Sequence, residues 1–244
     1  MKKEKIKEAQ FDFSKKNTWT ALWTNPFYFM RKNLYFNIKE LAPKLSGMIL
    51  DFGCGAKPYR DLFINCDKYI GLDIETSGHD HKEEFIDVYY DGNTIPFKDE
   101  HFDNIFSSEV YEHVVNIDDI LQELYRVLKK DGLMLVTVPF VWNEHETPYD
   151  FHRYTGYGIK ELLEKHGFEV IESRKSTSYI EMIYQMRAEY YRDLCQNINS
   201  KIRRKLINKI VIPFQIIKGL VLSKTLPKTW SFYGDNIVLC KKLK

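Results

Sequence analysis

An apolar run, Ile49-Leu50-Asp51-Phe52, passes without a break into Gly53-Cys54-Gly55-Ala56-Lys57-Pro58-Tyr59. A buried strand that ends on two glycines lets backbone approach a ligand closely, and the turn that follows faces it with free N–H groups. The third glycine of the dinucleotide fingerprint is missing, with Pro58 in its place, which disfavours a pyrophosphate seat. Asp51, just ahead of the glycines, would repel phosphate and suits a ligand carrying an ammonium or sulfonium group. A second apolar run, Tyr69-Ile70-Gly71-Leu72, ends on Asp73, 20 residues after Gly53, and continues to Ile74. At the carboxyl end of a neighbouring strand such an acid accepts both hydroxyls of a ribose. Either acid alone has a plainer explanation, a tight strand-to-helix turn or a helix cap. Two acids in register on adjacent strand ends are harder to explain as solubility.

The rest of the pattern predicts an α/β architecture, short apolar runs alternating with amphipathic stretches. Strands are expected at about 48–52, 68–72, 85–88, 102–107, 132–138, 168–175 and 235–241. Ile120, Leu121, Leu124, Val127 and Leu128 fall at helical spacing within 118–130, and a second helix is expected over 155–166. Residues 178–224 read as one or two long helices with a break at Pro213. Residues 1–46 form an aromatic-rich helical preamble, with Phe11, Phe13, Trp19, Trp23, Phe27, Tyr28, Phe29, Tyr35 and Phe36 too apolar to leave in water. The expected organisation is therefore a helical cap (1–46), a sheet core (47–177), a helical insertion (178–230) and a final core strand (231–244). At 244 residues, with 44% hydrophobic and 29% charged, the chain can bury a core and is not disordered.

In the stretches 91–97, 101–114 and 121–132, the blocks Asp91-Gly92-Asn93-Thr94-Ile95-Pro96-Phe97, Phe102-Asp103 through Ser107, Glu112 and His113, and Arg126-Val127-Leu128-Lys129-Lys130-Asp131-Gly132 follow in order. With the two acid-tipped strands they resemble the class I S-adenosylmethionine-dependent methyltransferases of the type 11 kind, over residues 47–175. The resemblance implies a Rossmann-like seven-stranded sheet with helices on both faces, S-adenosyl-L-methionine as cofactor and S-adenosyl-L-homocysteine as product. It implies that Asp51, Gly53 and Gly55 line the methionine and sulfonium end, Asp73 and Ile74 hold the ribose, Asp91 and Gly92 reach the adenine, and Ser107 closes the floor. Lys130-Asp131-Gly132 stands where the family has Pro-Gly-Gly, a departure confined to a turn. Tyr125 and Lys129 match the spacing of the short-chain dehydrogenase pair, a coincidence on an amphipathic helix end.

The segment 139–155 follows a predicted strand and hangs over the carboxyl edge of the sheet, where such folds bind ligands. His145, His152, Glu144, Glu146, Asp150 and Arg153 crowd there among five aromatic residues. Its His145-Glu146, Pro148-Tyr149-Asp150 and Arg153-Tyr154-Thr155 resemble a block in methyltransferases of bacterial cell-surface polysaccharide and lipid-linked glycan pathways. The expected reaction is transfer of a methyl group to a sugar hydroxyl, with His145 as base, Glu146 orienting it, and Arg153 or Tyr154 gripping the acceptor. A small-molecule or quinone-type acceptor and a non-catalytic cofactor-holding scaffold are the alternatives. A loop fixed by an Asp150–Arg153 ion pair is the plain structural reading of the same residues. His79, Asp80 and His81, with His145, Glu146 and His152, show no recognised metal spacing, so no metal is expected.

The net charge is +2, but no acid occurs between Asp193 and Asp235, while Lys201, Arg203, Arg204, Lys205, Lys209, Lys218, Lys224 and Lys228 do. Interleaved aliphatics make 201–228 a candidate contact with an anionic membrane surface. A lid on its own domain or a contact with a second copy of the chain, as in a homodimer, explains the apolar residues equally well. Nucleic acid is disfavoured, since no recognised module accompanies the bases. Asn208, Lys209, Pro213, Gln215, Lys218 and Gly219 interrupt 206–222, so no membrane crossing is expected. Cysteines without a paired spacing and the absence of a secretory apolar region in MKKEKIKEAQ predict a cytoplasmic protein, peripheral at the inner membrane face if the basic segment docks there.

Overall fold

The computed structural model describes residues 21–23, 25–75 and 86–243. The chain divides into two compact units, Asn37–Arg174 with Asp235–Lys244, and Met1–Phe36 with Lys175–Gly234. Phe11, Phe13, Trp19, His79, Asp80 and His81 lie outside the described residues.

The first unit is built on a sheet of seven strands: β1 (Gly47–Phe52), β2 (Cys66–Ile74), β3 (Val88–Tyr90), β4 (Phe102–Ser108), β5 (Leu128–Pro139), β6 (Phe168–Lys175) and β7 (Asp235–Lys242). Their order is β3-β2-β1-β4-β5-β7-β6. The pairs β1–β2, β1–β4, β2–β3 and β4–β5 are parallel, and β7 runs antiparallel to β5. The strand order reverses between β1 and β4, and the carboxyl ends of such strands form the ligand crevice of open α/β sheets. This is the Rossmann-like seven-stranded sheet with flanking helices that the resemblance implies. Leu50, Phe52, Ile105, Met134, Val136 and Val238, all buried, form its core with the inner stripe of the covering helices.

Helix α2 (Ile117–Val127), numbered after α1 (Tyr28–Leu41), buries Ile117, Ile120, Leu121, Leu124 and Val127, the spacing of one helical face. It stops three residues before the expected end. Leu128 turns extended, at ψ 134°, and pairs with Phe102, so Lys129, Lys130 and Asp131 belong to β5. Helix α3 (Gly156–Lys165) begins as expected, with Thr155 Oγ1 accepting from Gly158 N at 3.0 Å.

The second unit is helical. Helix α4 (Tyr179–Leu194) opens on a capping box in which Glu181 Oε2 accepts from Ser178 N at 2.9 Å. Gln185 accepts from Phe29 N at 3.1 Å and donates to Pro26 O at 2.7 Å, tying the N-terminal segment to α4. Leu22, Tyr28, Phe29, Tyr184, Ala188, Ile212 and Ile216 share one core. Described residues between Ala21 and Tyr35 of the expected cap thus share a core with residues of the expected insertion.

Beyond α4, helix α5 (Lys201–Leu206), a π segment (Ile207–Val211) and α6 (Ile212–Thr225) run on without interruption. Pro213 does not break the helix, contrary to expectation. The wider π turn just before it accommodates the missing N–H and the ring. By length and composition Lys201–Thr225 is long and apolar enough to cross a membrane, with a mean hydropathy of 1.5 over its most apolar window. The interruptions noted in the sequence therefore do not exclude it on that measure. Ile202, Leu206, Ile210, Phe214 and Val221 along it are exposed.

Candidate functional site

The register that places Asp51 beside Gly71 and Phe52 beside Leu72 brings the β1 glycine turn against the end of β2. Gly53 and Gly55 adopt φ of 71° and 45°, conformations that a side chain resists. A Cβ at position 53 would also strike Val110 at 2.4 Å. Gly55 N donates to Asp73 Oδ2 at 2.9 Å and Ile74 N to Asp73 Oδ1 at 2.8 Å, so the acid is aimed by the backbone.

Asp51 is 3% exposed and accepts from Tyr69 OH at 2.7 Å. Burial pushes its carboxyl up to about 7, with the Tyr69 hydrogen bond opposing the rise and Asp73 adding to it. The nearby cation, Lys57, bonds Asp87 instead, at 2.5 Å. A buried acid next to a second acid fits a cationic ligand group. Ser107 Oγ donates to Phe52 O at 3.0 Å and links β4 to β1 beneath the turn. Asp91 Oδ1 closes its own turn by accepting from Asn93 N at 2.9 Å and Thr94 N at 2.8 Å. Asn116 fixes that turn by donating to Gly92 O at 3.2 Å.

The opposite end of the site lies under segment 140–154, between β5 and α3. A turn after β4, Tyr111–His113, holds this segment: Phe151 N and His152 N donate to Glu112 O at 2.7 and 3.2 Å, and His113 Nδ1 meets Tyr149 O at 2.6 Å. Arg153 spends its guanidinium inside the loop, on both Asp150 oxygens at 2.5 and 2.7 Å and on the carbonyls of Trp142, Asn143 and His152. These bonds use all five of its N–H groups. Arg153 is thus a clamp on the loop, and the expected grip on an acceptor is not what its donors do. Burial pushes Asp150 upward, but Arg153 and His145 N hold it at about 2.

His145 Nδ1 lies 3.3 Å from both Asp150 Oδ2 and Asn143 O, so Asp150 stands in the orienting position expected of Glu146. Glu146 Oε2 sits instead 3.9 Å from His113 Nε2. Burial, with His113 alongside, lowers the His145 imidazole below its ordinary value. Tyr154 OH is buried and makes no hydrogen bond among the described residues, and burial raises its phenol.

Three residues beside this segment carry no assigned role in the sequence reading: Glu109, Glu112 and His113. Thr137 Oγ1 donates to Glu109 Oε1 at 2.8 Å, and Glu109 holds a φ of 56°. Glu112 is fully buried, and among the described residues neither carboxylate oxygen has a hydrogen-bond partner. Burial raises both acids, and Glu109 pushes Glu112 higher still. The signal was present in the Ser108-Glu109-Val110-Tyr111-Glu112-His113 block, which recurs as a family pattern yet sits 32 residues from His145.

Residues 50–136 match the family model described as a methyltransferase domain. A sterol 24-C-methyltransferase from Schizosaccharomyces pombe is 23% identical over 269 aligned residues, covering 90% of this chain and 70% of that protein. The mitochondrial ubiquinone biosynthesis O-methyltransferase of Bos taurus is 33% identical over 129, covering 45% of this chain and 34% of its own length. Among solved structures, phosphoethanolamine N-methyltransferase 2 of Haemonchus contortus in complex with S-adenosyl-L-methionine superposes with a TM-score of 0.52 at 19% identity, covering 95% of this chain and 58% of that one. Residues 50–136 are therefore similar to a methyltransferase domain, and they lie in a sheet of the Rossmann-like fold that the solved neighbours share.

Proposed function

We propose that the chain is an S-adenosyl-L-methionine-dependent methyltransferase that transfers to a hydroxyl of a sugar in a cell-surface or lipid-linked glycan. The observation that carries the reading is the β1–β2 corner, where the glycine turn donates to Asp73 and Asp51 is buried beside it, within the matched methyltransferase domain. Asp73 would take the ribose hydroxyls, Gly53 and Gly55 the methionine end, and Asp51 the cationic end. When bound, the cofactor supplies a methyl on a positively charged sulfur. The chain's task is then to align the acceptor oxygen, exclude water and receive one proton. Glu112, His113 and His145 offer the lone pairs for that proton beneath the aromatic loop.

The sugar reading rests on the resemblance of segment 145–155 and on the loop's mix of acids and aromatic residues. The exposed stripe Ile202, Leu206, Ile210 and Phe214, flanked by Lys201, Arg203, Arg204, Lys205 and Lys209, supports docking at an anionic bilayer, where a lipid-linked acceptor is found. The helix would lie in the surface, since Ile212 and Ile216 on its other side pack with Tyr184 and Ala188. This makes the protein cytoplasmic and peripheral at the inner membrane face. A quinone-type acceptor is the second reading, favoured by the similarity to the bovine ubiquinone-pathway enzyme.

Calorimetric titration with S-adenosyl-L-methionine, followed by measurement of released S-adenosyl-L-homocysteine with lipid-linked oligosaccharides and with catechol-type quinone precursors, tests both levels. Turnover on the oligosaccharides is the expected result. Turnover on the quinone precursors alone replaces the acceptor, and donor binding without turnover on either reduces the chain to a cofactor-holding scaffold. A chain that does not bind the donor overturns the reading.

A further inference from the structure

Glu112 has no exposed surface, and neither of its carboxylate oxygens has a hydrogen-bond partner among the described residues. A buried carboxyl left without partners is costly, and such groups in folded proteins are met by an ion, a water or a ligand. What faces Glu112 is a second set of lone pairs. His113 Nδ1 lies 2.6 Å from the carbonyl of Tyr149, which only accepts, so Nδ1 carries a hydrogen there. The other ring nitrogen, Nε2, stands 3.8 Å from Glu112 Oε1 and 3.9 Å from Glu146 Oε2. The His145 ring lies edge-on to that of His113, with centroids 4.7 Å apart. Its Nδ1 is 3.3 Å from two acceptors, Asn143 O and Asp150 Oδ2. In both histidines one nitrogen is thus oriented by a carbonyl or carboxylate, the outer support that metal-binding imidazoles use.

One ligand atom each from Glu112, His113 and His145 lies within 4.8 Å of the others. Tetrahedral ligands about 2.0–2.2 Å from a shared ion stand roughly 3.3–3.6 Å apart, so Glu112 Oε1 and His113 Nε2, at 3.8 Å, are close to that spacing and the third ligand atom must move in by at most about 1.5 Å. We infer that Glu112, His113 and His145 form a binding site for a divalent transition-metal cation of the zinc or manganese type, with Glu146 at its rim. Two imidazoles and a carboxylate favour such an ion over magnesium or calcium, which prefer oxygen alone. The inference departs from the expectation of no metal. It also deepens the proposed reaction, resting on it for one point: an ion here would take the acceptor oxygen at an open position and favour loss of its proton.

The test uses the full-length, tag-free chain, stripped with chelator and dialysed. Calorimetric titration with Zn2+, Mn2+ and Mg2+ is run on the parent and on Glu112→Gln and His145→Gln, with S-adenosyl-L-methionine titrated in parallel. One equivalent of Zn2+ or Mn2+ should bind and raise the melting temperature, with Mg2+ weaker by about tenfold or more. Each substitution should weaken ion binding on the order of 100-fold while the variant still binds the donor, which shows that it is folded. Stoichiometric binding to none of the three ions, or binding that both substitutions leave at parental strength, overturns the site. Ion binding in a chain that does not take the donor overturns the proposed function and leaves the metal site standing.

Discussion

The two ends of the site are built differently. At the β1–β2 corner the acids are already held by the chain: Asp73 by Gly55 N and Ile74 N, Asp51 by Tyr69 OH. Under segment 140–154, both Glu112 oxygens, Tyr154 OH and His152 Nε2 are buried without a hydrogen-bond partner among the described residues. The first end comes from adjacent strands and one local turn, so backbone geometry alone shapes it. The second end is assembled from the turn after β4 and the long loop after β5, and it leaves these polar atoms buried without a hydrogen bond among the described residues.

The sharpest way to break that contrast is Glu112→Leu. If the acid is kept for function, turnover on the true acceptor should fall on the order of 100- to 10,000-fold. The ligand-free protein should at the same time become more stable by about 1–3 kcal/mol, because an unpartnered buried carboxyl is replaced by an apolar group of similar size. Steady-state kinetics and denaturant unfolding of the same preparations measure both. A variant that turns over normally and unfolds more easily would make Glu112 a structural residue and the two ends alike.

At the other end, Asp73→Ala should weaken donor binding by about 2–3 kcal/mol, the scale of a carboxylate accepting two hydroxyls, with the loss read by calorimetry. Unchanged affinity would remove Asp73 from the ribose role.

Asp51 sharpens the same contrast through pH. Its carboxyl holds a proton to about pH 7 in the native chain, against an ordinary value of 3.8. Between those values the native state binds more protons than the unfolded state, so this residue's effect on stability becomes more unfavourable as pH rises through the window. Asp51→Asn keeps an acceptor for Tyr69 and removes the titration. Relative to the parent, it should gain about 2 kcal/mol between pH 5 and pH 8 in the ligand-free protein. Denaturant unfolding at both pH values measures this, and parallel profiles for the two proteins would show that burial does not unsettle Asp51.

The contrast also explains what the sequence made legible. Strands 47–52 and 66–74, their glycine turn and the acids at 51 and 73 all follow from neighbouring residues, and the structure places them within a residue or two of the expected bounds. Helix α2 ended early because Leu128 found a strand partner in Phe102, 26 positions away, a tertiary choice that overrides helical spacing. Pro213 failed to break its helix because a π turn absorbed it, which the spacing of apolar residues does not announce. The cluster of Glu112, His113 and His145 was hidden for a related reason. Two chain segments contribute to it, and only the crossing of the loop over the β4 turn brings them together.

The helical unit repeats the incompleteness on its surface and gives the smallest expected effect. Ile202, Leu206, Ile210 and Phe214 recur every four residues and are all exposed, although Ile212 and Ile216 between and beyond them are buried with α4. A lid folded on its own unit would cover that stripe and would have no need of a flank without acids. A bilayer surface covers the stripe with acyl chains and meets Lys201, Arg203, Arg204, Lys205 and Lys209 with anionic headgroups, each base contributing up to about 1 kcal/mol. Single substitutions such as Lys209→Gln should therefore weaken co-sedimentation with phosphatidylserine-containing vesicles by about fivefold at most, and Phe214→Asp should weaken it further by placing a charge among the acyl chains. Binding should fade as salt rises, since the headgroup attraction is screened beyond about 10 Å at 0.1 M. A protein that stays in the supernatant with anionic vesicles at low ionic strength would separate the two kinds of incompleteness, leaving the acceptor end open to a ligand and the stripe to a second copy of the chain.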